Sequence, residues 1–165
     1  FIHNIVLYSM IMMKNKFVSL FFFLIVTFSA SIIGGIVSSK FKDPWYSSII
    51  KPSFNPPDWI FAPVWSLLYF FMAYAIWNVW IKSREKRLIY LYFIHLVFNT
   101  TWSIIFFGFH NITLALLNLI IIIIFIVILI LKYKRISNLS ACLMIPYLLW
   151  SFYALILNMS LIILN

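Results

Sequence analysis

The chain alternates between long apolar runs and short polar connections along almost its whole length. Five runs contain no aspartate, glutamate, lysine or arginine, and each has at least 20 residues: 17–37, 59–81, 88–109, 112–131 and 139–164. A helix needs roughly 20 such residues to cross a hydrocarbon layer about 30 Å thick. The pattern therefore predicts five membrane-spanning segments.

We expect these spans to be α-helices, which makes the predicted fold class an all-α membrane protein, a five-transmembrane-helix bundle. A single apolar segment in lipid has to satisfy its backbone hydrogen bonds internally, and a helix does so. The strands of a membrane β-barrel would instead alternate polar and apolar positions. Residues 120–124 are five consecutive isoleucines, which is incompatible with that alternation.

The composition also argues against a soluble domain. Of the 165 residues, 65% are hydrophobic and 9% are charged, and the mean hydropathy is +1.10. Soluble domains have about 25% charged residues. The net charge of +9 comes from lysines and arginines at the ends of the apolar runs. We therefore interpret them as membrane-flanking charges and predict no nucleic-acid partner. The single cysteine, Cys142, lies in an apolar run and is interpreted as a small hydrophobic residue.

The basic residues are distributed unequally between the two sides of the predicted bundle. Only three of the twelve lie on the side of the first connection, Lys40, Lys42 and Lys51, and the other nine lie on the side of the N-terminus. Because cytoplasmic connections are enriched in lysine and arginine, the N-terminus is predicted to be cytoplasmic and the C-terminus outside. The expected location is a bacterial cell membrane.

The chain is expected to form one domain. Residues 1–12 precede a natural-looking start at Met13 and are predicted to be a non-native or disordered extension, so that residues 13–165 form the five-helix domain. The connection 38–58 is the one long loop, and it contains four of the six prolines together with Trp45 and Tyr46. Such a stiff, aromatic loop is either functional or an interfacial anchor.

Aromatic and polar residues recur at helical spacing within three spans. The positions that fall on these faces are Trp65 and Tyr69 in the second span, His95, Asn99, Trp102 and Phe106 in the third, and Trp150, Ala154 and Asn158 in the fifth. Because polar side chains avoid lipid, these faces should point into the bundle. Two interpretations remain open: a pocket for a flat, mostly apolar ligand, or hydrogen bonds between helices made by Asn99, Asn118 and Asn158.

The sequence contains few groups suited to catalysis. The spans have no carboxylate, and no metal-binding or phosphate-binding motif is recognisable. A single intramembrane histidine, His95, is more often a hydrogen-bonded structural residue than a ligand or a base. Ion-coupled transporters usually carry acidic residues within the membrane, so this class is disfavoured.

The sequence resembles the tryptophan-rich sensory proteins, also called translocator proteins or peripheral-type benzodiazepine receptors, from about Trp45 to the C-terminus. The residues that carry the resemblance are Trp45-Tyr46, the segment KPSFNPP at 51–57, Trp59, Pro63, Trp65, Tyr69, Asn99, Trp102, the segment FFG at 106–108, Pro146-Tyr147, Trp150, Ala154 and Leu157-Asn158. They occur in order across four segments, which makes the resemblance specific.

The resemblance implies a five-helix bundle, usually a homodimer, that binds porphyrins such as protoporphyrin IX inside the bundle without requiring a cofactor. It places Trp45 and Tyr46 in a loop over the pocket and Trp65, Tyr69, Asn99, Trp102, Trp150 and Ala154 on its walls. His95 and Phe106 share the face of Asn99 and are added as candidate binding residues; His95 stands where bacterial relatives often have asparagine.

The resemblance leaves three functions to compare. The first is a non-enzymatic membrane receptor or carrier for tetrapyrroles and other flat hydrophobic molecules. The others are a porphyrin-degrading enzyme that depends on light and oxygen, and a transporter of small hydrophobic molecules. Sterol binding is disfavoured because no basic residue follows Tyr153, where animal members have their cholesterol-recognition pattern.

Overall fold

The computed structural model describes residues 15–165, and the predicted extension at residues 1–12 lies outside this range. Five long helices are present in the described part of the chain: α1 (Lys16–Phe41), α2 (Asp58–Ser83), α3 (Lys86–Ser103), α4 (Ile112–Lys134) and α5 (Asn138–Leu164). All five are long and apolar enough to cross a membrane, α3 together with the turn that extends it to Gly108. The predicted fold class, a five-transmembrane-helix bundle, is confirmed.

Side chains cap three of the helices at their N-termini. The Asn15 side chain accepts a hydrogen bond from the backbone N–H of Phe17, and Asn111 does the same for Leu114. Ser137 accepts from the backbone N–H of Ser140 at the start of α5. The first N–H groups of a helix have no partner within it, so these caps fix where α1, α4 and α5 begin.

Helix α1 is longer than its predicted span. Helix α1 continues past residue 37 to Phe41 and is closed by a hydrogen bond of 3.0 Å from the Lys42 N–H to the Ser38 carbonyl. The helix continues beyond the apolar run because its backbone hydrogen bonds do not require apolar side chains. The connection is therefore 42–57, and it contains a one-turn helix, Trp45–Ser48.

The third span also changes its geometry near its end. Helix α3 continues into a π-helical turn, Ile104–Gly108, which is closed by a 3.0 Å hydrogen bond from the Phe109 N–H to the Ile104 carbonyl. The extra residue in each hydrogen-bonded ring widens the helix and rotates the side chains that follow. Such turns are frequent at functional sites.

The helices form a closed ring in the order α1, α2, α5, α4, α3. Each packs mainly against its two neighbours in this order, and the π-helical turn packs against α1 and α4. Large apolar side chains are exposed on the outside of every helix, for example Phe21, Leu67, Val97, Leu117 and Leu149. In a chain that spans a membrane, this apolar outer surface contacts the lipid bilayer.

Candidate ligand-binding site

A cavity of about 500 Å³ lies inside the ring of helices, at the end covered by the connecting segment 42–57. Every helix contributes to its wall, and so does the connecting segment. The residues that line it are Ser31, Gly34, Gly35, Ser38, Ser39, Lys42, Tyr46, Asp58, Phe61, Ala62, Trp65, Ser66, Tyr69, Asn99, Trp102, Ser103, Phe106, Phe107, Leu119, Ile122, Tyr147, Trp150, Ser151, Tyr153, Ala154, Leu157, Asn158 and Leu161.

Eight of the ten predicted site residues line this cavity. They are Tyr46, Trp65, Tyr69, Asn99, Trp102, Phe106, Trp150 and Ala154. Trp45 and His95 do not line it, although each contacts a residue that does. The faces predicted on the second, third and fifth spans therefore meet around one space.

Three tryptophans on three helices contribute to the aromatic wall. The ring of Trp65 lies 5.5 Å from that of Tyr69, centroid to centroid, and 6.1 Å from that of Tyr147. Trp102 stacks on Phe106 at 4.9 Å with an interplanar angle of 14°. Trp150 packs against Tyr153 at 5.4 Å. These contacts restrict the orientation of the indoles, and all three indoles line the cavity.

Phe106 and Phe107 lie in the π-helical turn, and both reach the cavity. Both rings line the cavity, and both also contact the ring of Tyr46, at 6.1 Å and 5.8 Å. The π-helical turn therefore forms the part of the wall that lies against the one-turn helix carrying Tyr46.

A chain of buried hydrogen bonds forms the floor of the cavity. The Tyr69 hydroxyl donates to Oδ1 of Asn99 at 2.5 Å, and Nδ2 of Asn99 donates to the Tyr147 hydroxyl at 2.7 Å. Nε2 of His95 lies 3.0 Å from the same hydroxyl. The chain joins α2, α3 and α5, so Asn99 both bridges helices and lines the cavity.

His95 lies behind this floor. Its side chain is fully buried, and Tyr147 separates it from the cavity. In this position the histidine orients the hydroxyl of Tyr147 and has no direct path to a molecule in the cavity. The arrangement gives His95 a structural contact, while its predicted role in ligand binding stays a prediction.

Trp45 supports the connecting segment from the side. Its ring stacks on the imidazole of His110 at 4.6 Å and packs edge-on against Phe106 at 5.4 Å. His110 in turn donates a hydrogen bond of 3.1 Å from Nε2 to the carbonyl of Phe41. Trp45 therefore holds the one-turn helix that carries Tyr46, and Tyr46 itself faces the cavity.

Further polar contacts hold the connecting segment in place. Lys42 forms an ion pair with Asp58, and the Tyr46 hydroxyl donates to Oδ1 of Asn55 at 3.1 Å. Burial raises the pKa of the Tyr46 phenol above its usual value, and the carboxylate of Asp58 raises it further. The phenol therefore stays protonated at neutral pH and keeps this hydrogen bond. The Tyr153 hydroxyl also donates to the carbonyl of Phe54, at 2.7 Å.

The structure adds two groups of lining residues to the prediction. The first is the face of α1 that carries Ser31, Gly34, Gly35 and Ser38. The helical spacing of these small residues could have indicated the face, but they provide no aromatic or amide pattern. The second group lies on α5 and includes Tyr147, which follows Pro146 and shares a helix face with Trp150. No group of side chains that could hold a metal ion occurs within residues 15–165.

The sequence was compared with known proteins. The TspO/MBR family matches residues 6–164, a range that starts well before Trp45. A tryptophan-rich protein TspO of Chlorobaculum tepidum is 32% identical over 80% of this chain and 86% of its own length. A translocator protein of Bos taurus is 34% identical over 76% and 80%, and a tryptophan-rich sensory protein of Cereibacter sphaeroides is 32% identical over 74% and 78%.

The family match covers the five helices, the connecting segment and the residues that line the cavity. The family match spans more than half of the chain, and the relatives are matched over most of their own length. The chain is an integral membrane protein and belongs to the TspO/MBR family.

Proposed function

We propose that this protein is a membrane receptor or carrier that binds porphyrin-type tetrapyrroles and other flat, hydrophobic molecules in the cavity. The names of its relatives, translocator protein and tryptophan-rich sensory protein, support a receptor or sensor role. The ligand is cargo or signal, and the protein requires no cofactor.

The observation that carries this proposal is the wall formed by Trp65, Trp102 and Trp150. Three indoles from three helices face one cavity of about 500 Å³. Sites for small molecules have volumes of about 300–1,000 Å³ and are lined mainly by apolar and aromatic side chains. Flat ligands gain most from such walls, because aromatic surfaces stack on them.

The polar groups of the cavity favour binding over catalysis. Lys42 and Asp58 pair with each other at its rim, and the Tyr69 hydroxyl is hydrogen-bonded to Asn99. A general base or nucleophile needs a free, activated group within reach of the ligand. Oxidative breakdown of a bound porphyrin in light is the second candidate, because the three indoles would contact the bound ring.

Titration with protoporphyrin IX in the dark tests the proposal, and illumination of the bound complex in the presence of oxygen separates the two candidates. A receptor should give saturable, reversible quenching of tryptophan fluorescence and a shift of the porphyrin absorption band. Non-saturable uptake that equals uptake by empty detergent micelles would contradict the proposal. A new product spectrum that appears only in light and oxygen would instead support the enzyme.

The resemblance also implies a homodimer, which we propose as the state in the membrane. Chemical cross-linking in native membranes tests it, with a band at twice the monomer mass as the expected result. A monomer band alone at saturating cross-linker would contradict a dimer.

A further inference from the structure

Asn158 is a buried amide in the cavity wall whose hydrogen-bonding groups are both unused. Its side chain is 2% exposed and lines the cavity. Neither Nδ2 nor Oδ1 has a hydrogen-bond partner within residues 15–165. The indole Nε1 of Trp102, which lines the same cavity, also has no partner in this range. The other buried polar atoms without a partner belong to Trp80, His95 and Tyr133, which are not lining residues.

The neighbouring buried amides differ from Asn158 because their groups are in use. Asn99 accepts from Tyr69 through Oδ1 and donates to Tyr147 through Nδ2. Asn118 donates from Nδ2 to the carbonyl of Phe98 at 2.9 Å, which joins α4 to α3. These two asparagines hold helices together. Asn158 does not, so helix packing gives no reason for a polar side chain at this position.

A buried polar group without a partner destabilises a protein, so the amide of Asn158 should meet a partner that enters the cavity. An amide offers a donor and an acceptor side by side. We infer that Asn158 forms a polar subsite for a neutral ligand group that carries an adjacent acceptor and N–H donor, a primary or secondary amide or a lactam. The Trp102 indole adds a second donor for the acceptor oxygen of that group.

An anionic group is a poorer match for this subsite. The charged side chains among the described lining residues are Lys42 and Asp58, and they neutralise each other at the rim. A carboxylate next to Asn158 would therefore be buried without a counter-ion, which is strongly unfavourable. This inference rests on the proposed binding function and specifies which end of a flat ligand lies against α5.

Two fluorescent probes that differ in one donor test the subsite: pyrene-1-carboxamide and methyl pyrene-1-carboxylate. Both are flat and apolar, but the ester lacks the N–H donor that Oδ1 of Asn158 would accept. For each purified protein in the same detergent, the affinity for the carboxamide is divided by the affinity for the ester. This ratio should be about tenfold higher in the unmodified protein than in the Asn158→Leu variant. Comparing this ratio between the two proteins cancels the different partitioning of the probes into detergent.

Asn118→Leu is the matched control, because it makes the same change at a buried asparagine outside the cavity wall. It should lower thermal stability and leave the ratio between the probes unchanged. Asn158→Leu should not lower the stability of the ligand-free protein, and Asn158→Ala serves as a second variant if the leucine is not accommodated. An equal ratio in the unmodified protein and the Asn158 variants would overturn the inference. If protoporphyrin IX still binds saturably in that case, the proposed function stands without the subsite.

Discussion

Asn99 donates a hydrogen bond of 2.7 Å from Nδ2 to the hydroxyl of Tyr147 and thereby joins α3 to α5 beneath the cavity. The same hydroxyl lies within hydrogen-bonding distance of His95, so Tyr147 connects two residues of α3. The floor therefore depends on one phenolic oxygen. This oxygen is fully surrounded by protein, where an unmade hydrogen bond is most costly.

We expect Tyr147→Phe to destabilise the protein more than Tyr69→Phe. The first change leaves both Asn99 and His95 without this partner, whereas the second removes only the 2.5 Å bond to Oδ1 of Asn99. A buried group that loses its partner costs about 1–3 kcal/mol, so the two variants should differ by an amount of this size. Thermal unfolding in one detergent measures the difference. Equal losses would contradict the central position of Tyr147.

Replacement of the wall tryptophans should weaken porphyrin binding. Trp65→Ala, Trp102→Ala and Trp150→Ala each remove a stacking surface from the cavity. The expected loss is about 1–3 kcal/mol for each variant, the range measured for stacking of nucleic-acid bases on aromatic side chains. Titration of folded variants with protoporphyrin IX measures it.

Trp77→Ala is the control for this series. Trp77 lies on α2 outside the cavity wall, and its Nε1 donates to the Lys16 carbonyl at 3.0 Å and to Oγ of Ser19 at 3.2 Å. Its replacement should loosen the contact of α1 with α2 and leave porphyrin affinity unchanged. Equal losses at Trp77 and at the wall positions would indicate general destabilisation of the bundle.

The sequence was sufficient to predict the fold because lipid restricts the possible structures. Long uncharged runs have few alternatives to helices in a bilayer, and polar side chains in them have to face inward. For the same reason Asn99 and Trp102 could be assigned to the interior from their spacing alone. Periodicity does not show which helices are neighbours. The prediction that Trp65, Trp102 and Trp150 meet around one cavity therefore required the resemblance to the family.

Other features could not be predicted, for physical reasons that differ. The wall formed by Gly34, Gly35 and Ser38 consists of small residues, which leave space and provide no polar or aromatic pattern. The π-helical turn at Ile104–Gly108 leaves no trace in the hydropathy pattern. Trp45 was expected over the pocket, but the distant residue His110 stacks on it and holds it at the side.

The two adjacent glycines of α1 should respond differently to alanine. A β-carbon at Gly34 would lie 3.0 Å from Oγ of Ser103 on α3, whereas no atom lies within 4 Å of one at Gly35. Because alanine favours a helix over glycine by about 1 kcal/mol, Gly35→Ala should raise the unfolding temperature. Gly34→Ala should lose that gain to crowding, since overpacking costs about 1–3 kcal/mol.

Removing the crowded atom tests this explanation. The double variant Gly34→Ala, Ser103→Ala should recover the stability of Gly35→Ala, because the remaining β-carbon of residue 103 lies at an ordinary 3.6 Å. Thermal unfolding of the four proteins in the same detergent gives the comparison. No recovery in the double variant would mean that Ser103 is not the cause.

The N-in, C-out orientation remains a prediction from the distribution of basic residues. Nine of the twelve lie on the N-terminal side of the bundle, and the first connection and the C-terminus lie together at the other end. A reporter enzyme that works only outside the cytoplasm should therefore be active when it is fused to the C-terminus. A reporter that works only in the cytoplasm should be inactive at the same position. The reverse result would indicate the inverted orientation.

The connecting segment should control how fast a ligand leaves the cavity. The Asn165 side chain accepts from the Ile50 N–H at 2.8 Å and donates to the Ile50 carbonyl at 3.0 Å, which ties the segment to the end of α5. Asn165 is not itself a lining residue, although its Nδ2 also donates to the carbonyl of the lining residue Leu161, at 3.0 Å. Loss of two exposed hydrogen bonds should raise the dissociation rate of protoporphyrin IX by about three- to tenfold.

Stopped-flow displacement with Ser160→Ala as the control measures this effect. Ser160 also lies on α5, but its hydroxyl donates to the Ile156 carbonyl within the same helix, at 2.9 Å. This variant should leave the dissociation rate unchanged. If Asn165→Ala also leaves it unchanged, the segment does not limit ligand release, and a path between the helices becomes the better explanation. A faster rate at Asn165 alone would identify opening of the segment as the slow step, because Asn165 ties the segment to α5 and its side chain does not line the cavity.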